Sequence, residues 1–313
     1  MYTIKQPSEI IFGENSLENY KFPEKCLLIS SSGAKKRGWL DLEFMKKFYV
    51  FDKVESNPSI QTTETIMNNF NNSNFSHIIG LGGGSVMDVA KFVGYKMGKK
   101  KITIPTIFGS GSEVTRISVL KVNNKKQSFH DDKIFANIAI IDPIFMQNTP
   151  KKNINDAIID ACAQSTEAFD SKNSNLYTKF LCQKGFDNIE QGIKESNNVK
   201  IIFGTLLTGL GFGNSSTTLG HALSYVFSNE GYSHGHALAF TTQIAHQFNN
   251  SIFYTRFKKI VDDLGFEKIN LKSNLDDAAE IILQDRKHLD NNPKDVTKND
   301  LIKLLNLIIN YQT

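Results

Sequence analysis

Short apolar runs alternate with helical stretches over the first half of the chain. Each run has the length of a strand, and the segments between them carry apolar residues at helical spacing. Buried strands separated by helices are typical of a parallel, doubly wound sheet, which binds ligands at the carboxyl ends of its strands. The predicted strands occupy 26–32, 48–54, 77–85, 101–106 and 137–143.

The second half has a different pattern, which is almost entirely helical from Asn153 onward. Helical periodicity is clearest in three segments, 154–169, 201–212 and 300–311. A boundary near Pro150 is therefore expected, with an α/β domain over 1–150 and an all-α domain over 151–313. Such a pair of domains usually places its active site in the cleft between them.

Composition narrows the class of protein. The chain has 313 residues, of which 40% are hydrophobic and 22% charged, as in a globular protein without a membrane span. No signal peptide is recognisable, and the three scattered cysteines lack metal or disulfide spacing, so a cytoplasmic location is expected. The net charge of +4 and the short lysine runs do not indicate a nucleic-acid partner.

Two turns rich in small residues follow neighbouring predicted strands. The first is the glycine run 82–85, ahead of a helix expected to begin at Val86, where free amides favour a phosphate. The second, 105–115, supplies several hydroxyl groups. The glycine run alone could be a tight strand–helix turn without a ligand, because it matches neither of the standard phosphate-binding motifs. Together they predict a nucleotide site.

A polar stripe and a histidine cluster mark the second half. Asp160, Gln164 and Glu167 share one helical face, which could be a network of hydrogen bonds between helices. His221 and His234 are too far apart for one helical turn, so a metal would join two segments. An aspartate, an amide and two imidazoles suit Fe2+ or Zn2+, although a packed helix–loop without metal is the alternative.

Five motifs in a fixed order resemble the iron-containing (group III) alcohol dehydrogenase family. They are GGGSVMDVAK, IPTIFGSGSEVT, IIDP, DACAQSTEAF and GHALSY…SHGHALAF, which together span about 80–240. The resemblance implies a dehydroquinate synthase-like fold with a dinucleotide-binding domain and a helical domain. It also implies NAD(P)H, a divalent metal, a small aldehyde or alcohol substrate, and a homodimer.

The resemblance also assigns roles to single residues. The implied cofactor contacts are Gly83, Gly84, Ser85, Asp88, Thr106, Ser110, Thr115 and Lys126. The implied metal ligands are Asp160, His221 and His234, with Gln164 as a fourth. Separately from the resemblance, the expected mechanism has Tyr225 or His236 supply the proton, through the ribose or water.

Two departures from the family pattern affect the expected chemistry. Gln164 and Tyr225 stand where the family commonly has histidines, and both changes resemble the branch of hydroxyethylphosphonate dehydrogenase and phosphonoacetaldehyde reductase. That branch implies a small phosphonate-bearing aldehyde, with Arg116, Lys125 and Lys126 as anion partners or as ordinary surface charges.

The expected reaction is therefore metal-assisted reduction of an aldehyde by NAD(P)H. Ser31 and Ser32 occupy the place of a ribose-binding acid, and the basic run 35–37 follows, which favours NADPH. The alternatives are a lyase like dehydroquinate synthase and a shortened, non-catalytic nucleotide-binding relative.

Overall fold

The computed structural model describes residues 1–123, 125–147 and 149–311. The chain divides into two compact units. The first comprises Thr3–Pro150, and the second comprises Lys151–Thr313 together with Met1–Tyr2. None of the described helices is both long enough and apolar enough to cross a membrane.

The α/β unit is built on a parallel sheet of six strands, in the order β1-β8-β5-β4-β2-β3. An antiparallel hairpin, β6 and β7, stands apart from the sheet. The strands are β1 (Glu9–Phe12), β2 (Cys26–Ile29), β3 (Tyr49–Phe51), β4 (His77–Gly82), β5 (Lys100–Pro105), β6 (Ile117–Val122), β7 (Lys125–His130) and β8 (Ile138–Ile141).

The predicted fold class is confirmed, and each of the five predicted strands overlaps a strand of the sheet. Strand β1 and the hairpin were not predicted from the sequence. Strand β1 is a short edge strand, and β7 is mostly exposed and polar, so neither produces a buried apolar run. Both strands form because tertiary pairing supplies their partners, which local periodicity does not report.

Helix α4 packs against strands β4, β5 and β2 and positions the glycine run. The described α-helices of the unit are α1 (Ser16–Asn19), α2 (Ser32–Lys36), α3 (Ile60–Phe70) and α4 (Gly84–Lys96). Helix α4 begins at Gly84 rather than at the expected Val86. Its buried side chains, including Val89 and Phe92, pack with the strand residues Leu27 and Ile78 in one hydrophobic core.

The second unit is helical throughout its regular structure, as predicted. Its helices are α5 (Lys151–Asp170), α6 (Leu176–Glu195), α7 (Asn198–Phe212), α8 (Leu219–Asn229), α9 (His234–Asn249), α10 (Tyr254–Leu264), α11 (Leu275–Leu283), α12 (Arg286–Asn291) and α13 (Lys298–Ile309). Helix α5 packs against α6, α7 and α9 and is buried from Ile158 to Ala168, apart from Asp160. The polar stripe predicted on this helix therefore lies inside the unit.

Candidate active site

The two small-residue turns meet at the carboxyl edge of the sheet. Strand β4 ends at Gly82, and Gly83 is the N-cap of α4 without any side-chain cap. A Cβ on Gly82 would lie 2.6 Å from a methyl carbon of Val86, so the turn requires glycine there. A Cβ on Gly84 would lie 3.0 Å from the Ser110 hydroxyl oxygen, which brings the second turn against the first.

These turns have the chemistry that a nucleotide phosphate needs. The Thr106 amide donates to the Gly82 carbonyl at 3.0 Å and so links the ends of β4 and β5. The Thr106 hydroxyl is buried and has no hydrogen-bond partner among the described residues. An unsatisfied buried hydroxyl beside the uncapped start of a helix fits an incoming polar ligand.

The Asp88 carboxylate is engaged by neighbouring protein groups. It accepts from the Ser112 hydroxyl at 2.6 Å and from the Val119 amide at 3.1 Å, and it lies 3.6 Å from the ammonium of Lys91. The fully buried Lys91 also donates to the Ser112 carbonyl at 2.7 Å. This geometry favours a loop-bracing role for Asp88 over the predicted cofactor contact.

The remaining predicted residues of this unit have varied surroundings. Thr115 is buried, and its carbonyl accepts from Lys91 at 3.2 Å, whereas Lys126 lies exposed on β7. Arg116, expected as an anion partner, pairs with Asp132 at 2.9 Å. The structure thus groups Gly83, Gly84, Ser85, Thr106 and Ser110 around the two turns, and Lys126 stands on the separate hairpin.

Serines occupy the carboxyl end of β2, where an acid would bind a ribose. The Ser31 hydroxyl caps α2 by accepting from the Ala34 amide at 3.3 Å. Asp52, just after β3, is paired with Lys35 at 2.5 Å. The guanidinium of Arg37 lies beside the same turn, 3.4 Å from where a Cβ on Gly33 would stand.

In the helical unit, three helices bring the predicted metal ligands together. Asp160 lies on α5, His221 on α8 and His234 at the start of α9. The Asp160 Oδ1 atom is 3.7 Å from His221 Nε2 and 3.8 Å from His234 Nε2. One ligand atom from each residue lies within 4.8 Å of the others, a spacing that fits a single ion.

Glu167 orients one of these histidines. Its carboxylate lies 2.9 Å from His221 Nδ1 and also accepts from the Thr218 amide at 2.7 Å. Burial alone would lower the pKa of His221, but the charge of Glu167 and the hydrogen bonds to Asp160 and Glu167 raise that pKa to about 9. The carboxylates therefore favour a positive charge here, whether a proton or a metal ion, and a carboxylate behind a histidine is common in metal sites.

Glycines beside the two histidines let the helices approach α5 closely. A Cβ on Gly220 would lie 2.0 Å from a carboxylate oxygen of Glu167. A Cβ on Gly235 would lie 2.0 Å from the carbonyl oxygen of Asp156. The pairs Gly220–His221 and His234–Gly235 were visible in the sequence, but the close approach that requires them was not.

Gln164 lies beside the ligand cluster, one turn after Asp160. Its side chain is buried, and its Nε2 atom donates to Asp160 Oδ1 at 2.9 Å. Rotation of the amide by half a turn would present the oxygen at nearly the same place. The predicted fourth ligand is thus adjacent to the other three.

Asp285 and His288 form a further pair beside the ligand cluster, and this pair was not predicted from the sequence. His288 on α12 has its ring 6.2 Å from that of His221 and 5.9 Å from that of Tyr225, and Asp285 holds its Nδ1 atom at 2.7 Å. Burial lowers the pKa of His288 despite the pull of Asp285. The only sequence signal was an aspartate three residues before a histidine, which is common on ordinary helix starts.

The two predicted proton donors have different surroundings. The Tyr225 ring is stacked with His234 at 6.4 Å, and burial, reinforced by nearby carboxylates, raises the pKa of its phenol. His236 instead has its Nε2 atom 2.5 Å from the Glu267 carbonyl, and its ring packs near Phe266. The geometry therefore places Tyr225, and not His236, against a ligand residue.

Family models match most of the chain and agree with this arrangement. One, described as iron-containing alcohol dehydrogenase, matches residues 7–143, and its C-terminal counterpart, Fe-containing alcohol dehydrogenase family, C-terminal, matches residues 156–284. The chain belongs to the iron-containing alcohol dehydrogenase family. The predicted family resemblance is thereby confirmed at the level of the family.

This family member is similar in sequence to several dehydrogenases. It is 30% identical over 231 residues to 4-hydroxybutyrate dehydrogenase of Clostridium kluyveri, covering 64% of this chain and 60% of that one. It is 29% identical to long-chain-alcohol dehydrogenase 1 of Geobacillus thermodenitrificans, covering 56% of this chain and 52% of that one. The chain thus spans less than two thirds of the length of these relatives.

Two solved structures share the fold over at least 99% of the chain. The iron-containing alcohol dehydrogenase of Thermotoga maritima matches with a TM-score of 0.89 at 23% identity, covering 99% of this chain and 100% of that one. Sulfoacetaldehyde reductase of Bifidobacterium kashiwanohense, solved in complex with NAD+, matches with a TM-score of 0.88 at 20% identity, with both chains fully covered.

Proposed function

We propose that this protein is a metal-dependent, NAD(P)-linked alcohol dehydrogenase that also reduces small aldehydes. The observation that carries the proposal is the convergence of Asp160, His221 and His234 within 4.8 Å in a member of this family. A carboxylate and two imidazoles, backed by Glu167, form a donor set that fits Fe2+ or Zn2+.

The chain's own residues would hold the metal and fix its ligands. Asp160, His221 and His234 would bind it, with the Gln164 oxygen as a weaker fourth donor. When bound, the ion acts as a Lewis acid toward the oxygen of the alcohol or aldehyde. Glu167 is a carboxylate and can only accept, so it holds the proton of His221 on Nδ1 and leaves Nε2 free to donate its lone pair.

The two turns of the α/β unit would bind the cofactor. NAD(P)H supplies the hydride. The uncapped amides at Gly84 and Ser85, the Ser110 hydroxyl and the orphan Thr106 hydroxyl offer donors for its phosphates. Tyr225 keeps its proton because its pKa is raised, so it offers an O–H donor to the reacting oxygen.

NADPH is the cofactor that this chain favours. The carboxylate nearest the end of β3, Asp52, is neutralised by Lys35, and serines stand at the end of β2. Arg37 lies beside that turn, where a guanidinium suits a 2′-phosphate. A lower KM for NADPH than for NADH is expected, and Arg37→Gln should remove most of the difference.

Phosphonoacetaldehyde is the finer substrate proposal, supported by the resemblance of the Gln164 and Tyr225 motifs to that branch. The test measures nicotinamide oxidation by metal-loaded protein with phosphonoacetaldehyde and with propanal, which has a similar length and no charge. A higher kcat/KM for phosphonoacetaldehyde supports the branch. A higher kcat/KM for propanal would support the proposed dehydrogenase activity and contradict phosphonoacetaldehyde as its substrate.

The same assay separates the alternatives. A lyase of the dehydroquinate synthase type gives no net change in nicotinamide absorbance, and the named relatives do not favour it. A non-catalytic relative would bind nucleotide and turn over none of the aldehydes. Net oxidation of NAD(P)H by the metal-loaded protein excludes both.

A further inference from the structure

His288 is buried against the ligand cluster and has no part in the proposed metal or cofactor contacts. Its exposure is only 6%, and its ring is nearly parallel to that of His221, with the two planes 18° apart. It also lies beside Tyr225, at 5.9 Å between ring centres. Both nitrogens of a buried imidazole are expected to form hydrogen bonds, either within the protein or to a ligand.

Asp285 determines which nitrogen of His288 carries the proton. Its two oxygens lie 2.8 and 2.7 Å from Nδ1, and the same carboxylate caps α12 by accepting from the His288 amide at 3.4 Å. A carboxylate can only accept, so Nδ1 donates and the neutral ring presents a lone pair at Nε2. Among the described residues, none forms a hydrogen bond with that Nε2 atom.

We propose that His288 is a further substrate-binding residue of this site and that its Nε2 accepts a hydrogen bond from the hydroxyl of the bound alcohol. Asp285 is the positioning residue that keeps Nε2 an acceptor. An alcohol hydroxyl can donate to this atom, whereas a carbonyl oxygen cannot. The pair therefore favours the alcohol over the corresponding carbonyl compound, and this inference rests on the proposed function.

The experiment measures binding instead of turnover. The full chain is loaded with Co2+, and the visible absorption of the ion is titrated with propan-2-ol and, separately, with acetone. His288→Phe keeps a ring in the stack but removes the acceptor. It should weaken propan-2-ol binding by roughly three- to tenfold, the effect of one hydrogen bond, and leave acetone binding unchanged.

Asp285→Asn provides a second variant that tests the tautomer. With the asparagine oxygen kept on the His288 amide, its NH2 group takes the place of Oδ2 and donates to Nδ1, which moves the ring proton to Nε2 and makes that atom a donor. Propan-2-ol binding should weaken while acetone binding tightens. A purely structural role for Asp285 would change both affinities in the same direction. His77→Phe, in the α/β unit, is the control and should change neither.

The inference would be overturned if both variants changed the affinities for propan-2-ol and acetone equally. It would also be overturned if they changed neither affinity. So would wild-type protein that binds neither probe. The proposed function fails separately, if metal-loaded wild type oxidises no NAD(P)H with any aldehyde. An active enzyme whose His288→Phe variant binds propan-2-ol normally would retain the function and lose this inference.

Discussion

At the scale of single residues, the chain places charged groups where water cannot solvate them. Lys91 is fully buried and is satisfied by backbone carbonyls, including that of Ser112, and by Asp88. Glu113 is also buried, and its Oε2 atom has no hydrogen-bond partner among the described residues. Burial without full compensation disfavours the charged form of such a group, so Glu113 holds its proton more tightly in the fold than in the unfolded chain.

Glu113 should make stability depend on pH. Burial raises its pKa to about 7, although Lys91 opposes the rise, whereas the unfolded carboxyl titrates near 4.5. The folded chain then holds a proton that the unfolded chain releases, so stability falls as pH rises from 4.5 to about 7 and levels off above. Urea unfolding of wild type and Glu113→Gln at several pH values measures this.

Relative to wild type, Glu113→Gln should gain up to about 3 kcal/mol across that window, because the amide does not ionise. Glu64→Gln, at an exposed position of α3, is the surface control. A constant difference between Glu113→Gln and wild type from pH 4.5 to 7 would show that the carboxyl titrates normally in the fold.

Gln164 should limit the affinity of the metal site. An amide oxygen is a weaker ligand than an imidazole for first-row divalent ions. Gln164→His is therefore expected to lower the Kd for Zn2+ by about tenfold or more, measured by competition with a coloured chelator. Gln164→Ala is the matched comparison and should raise the Kd. Equal Kd values for all three proteins would place residue 164 outside the ligand set.

At the scale of elements, close helix packing positions the site. Helices α8 and α9 each meet α5 through a glycine next to a predicted ligand. Helices α6 and α7 also meet through glycines, although these helices carry no predicted ligand. There a Cβ on Gly204 would lie 2.7 Å from the Gly185 carbonyl oxygen. Such contacts set the distance between helix axes, and with it the separation of the side chains that the helices carry.

Gly235→Ala tests this dependence. Alanine has the better helix propensity by about 1 kcal/mol, yet its Cβ would overlap the backbone of Asp156 and push α9 away. A net loss of about 2–3 kcal/mol in unfolding free energy is expected, with weaker metal binding because His234 moves too. Gln247→Ala, on the exposed face of α9, should be neutral. A Gly235→Ala protein with normal stability and metal affinity would contradict the packing argument.

The sequence predicted the strands, the helices and the candidate ligands better than it predicted which distant residues contact one another. Apolar periodicity located the buried strands and long helices, and the order of motifs located Asp160, His221 and His234. The hairpin was missed because its polar strand gains stability from pairing, not from burial. Asp285 and His288 were missed because their proximity to His221 arises from chain folding over more than 60 residues, which no local pattern encodes.

At the scale of the whole molecule, the two units carry different parts of the proposed chemistry. The α/β unit holds the turns proposed for the cofactor, and the helical unit holds the complete set of proposed metal ligands. A change at Asp160 should therefore remove the metal and leave nucleotide binding by the other unit intact. This separation gives the account its most direct test.

That test is the metal dependence of NADPH oxidation with propanal, in wild type and Asp160→Ala, with bound metal and NADPH affinity measured on the same samples. Wild type should oxidise NADPH only when loaded with Fe2+ or Zn2+. Asp160→Ala should lose the metal and fall by about a thousandfold in kcat/KM, with its Kd for NADPH unchanged. Turnover by metal-free wild type, or undiminished turnover by Asp160→Ala, would contradict the proposed metal-dependent dehydrogenase.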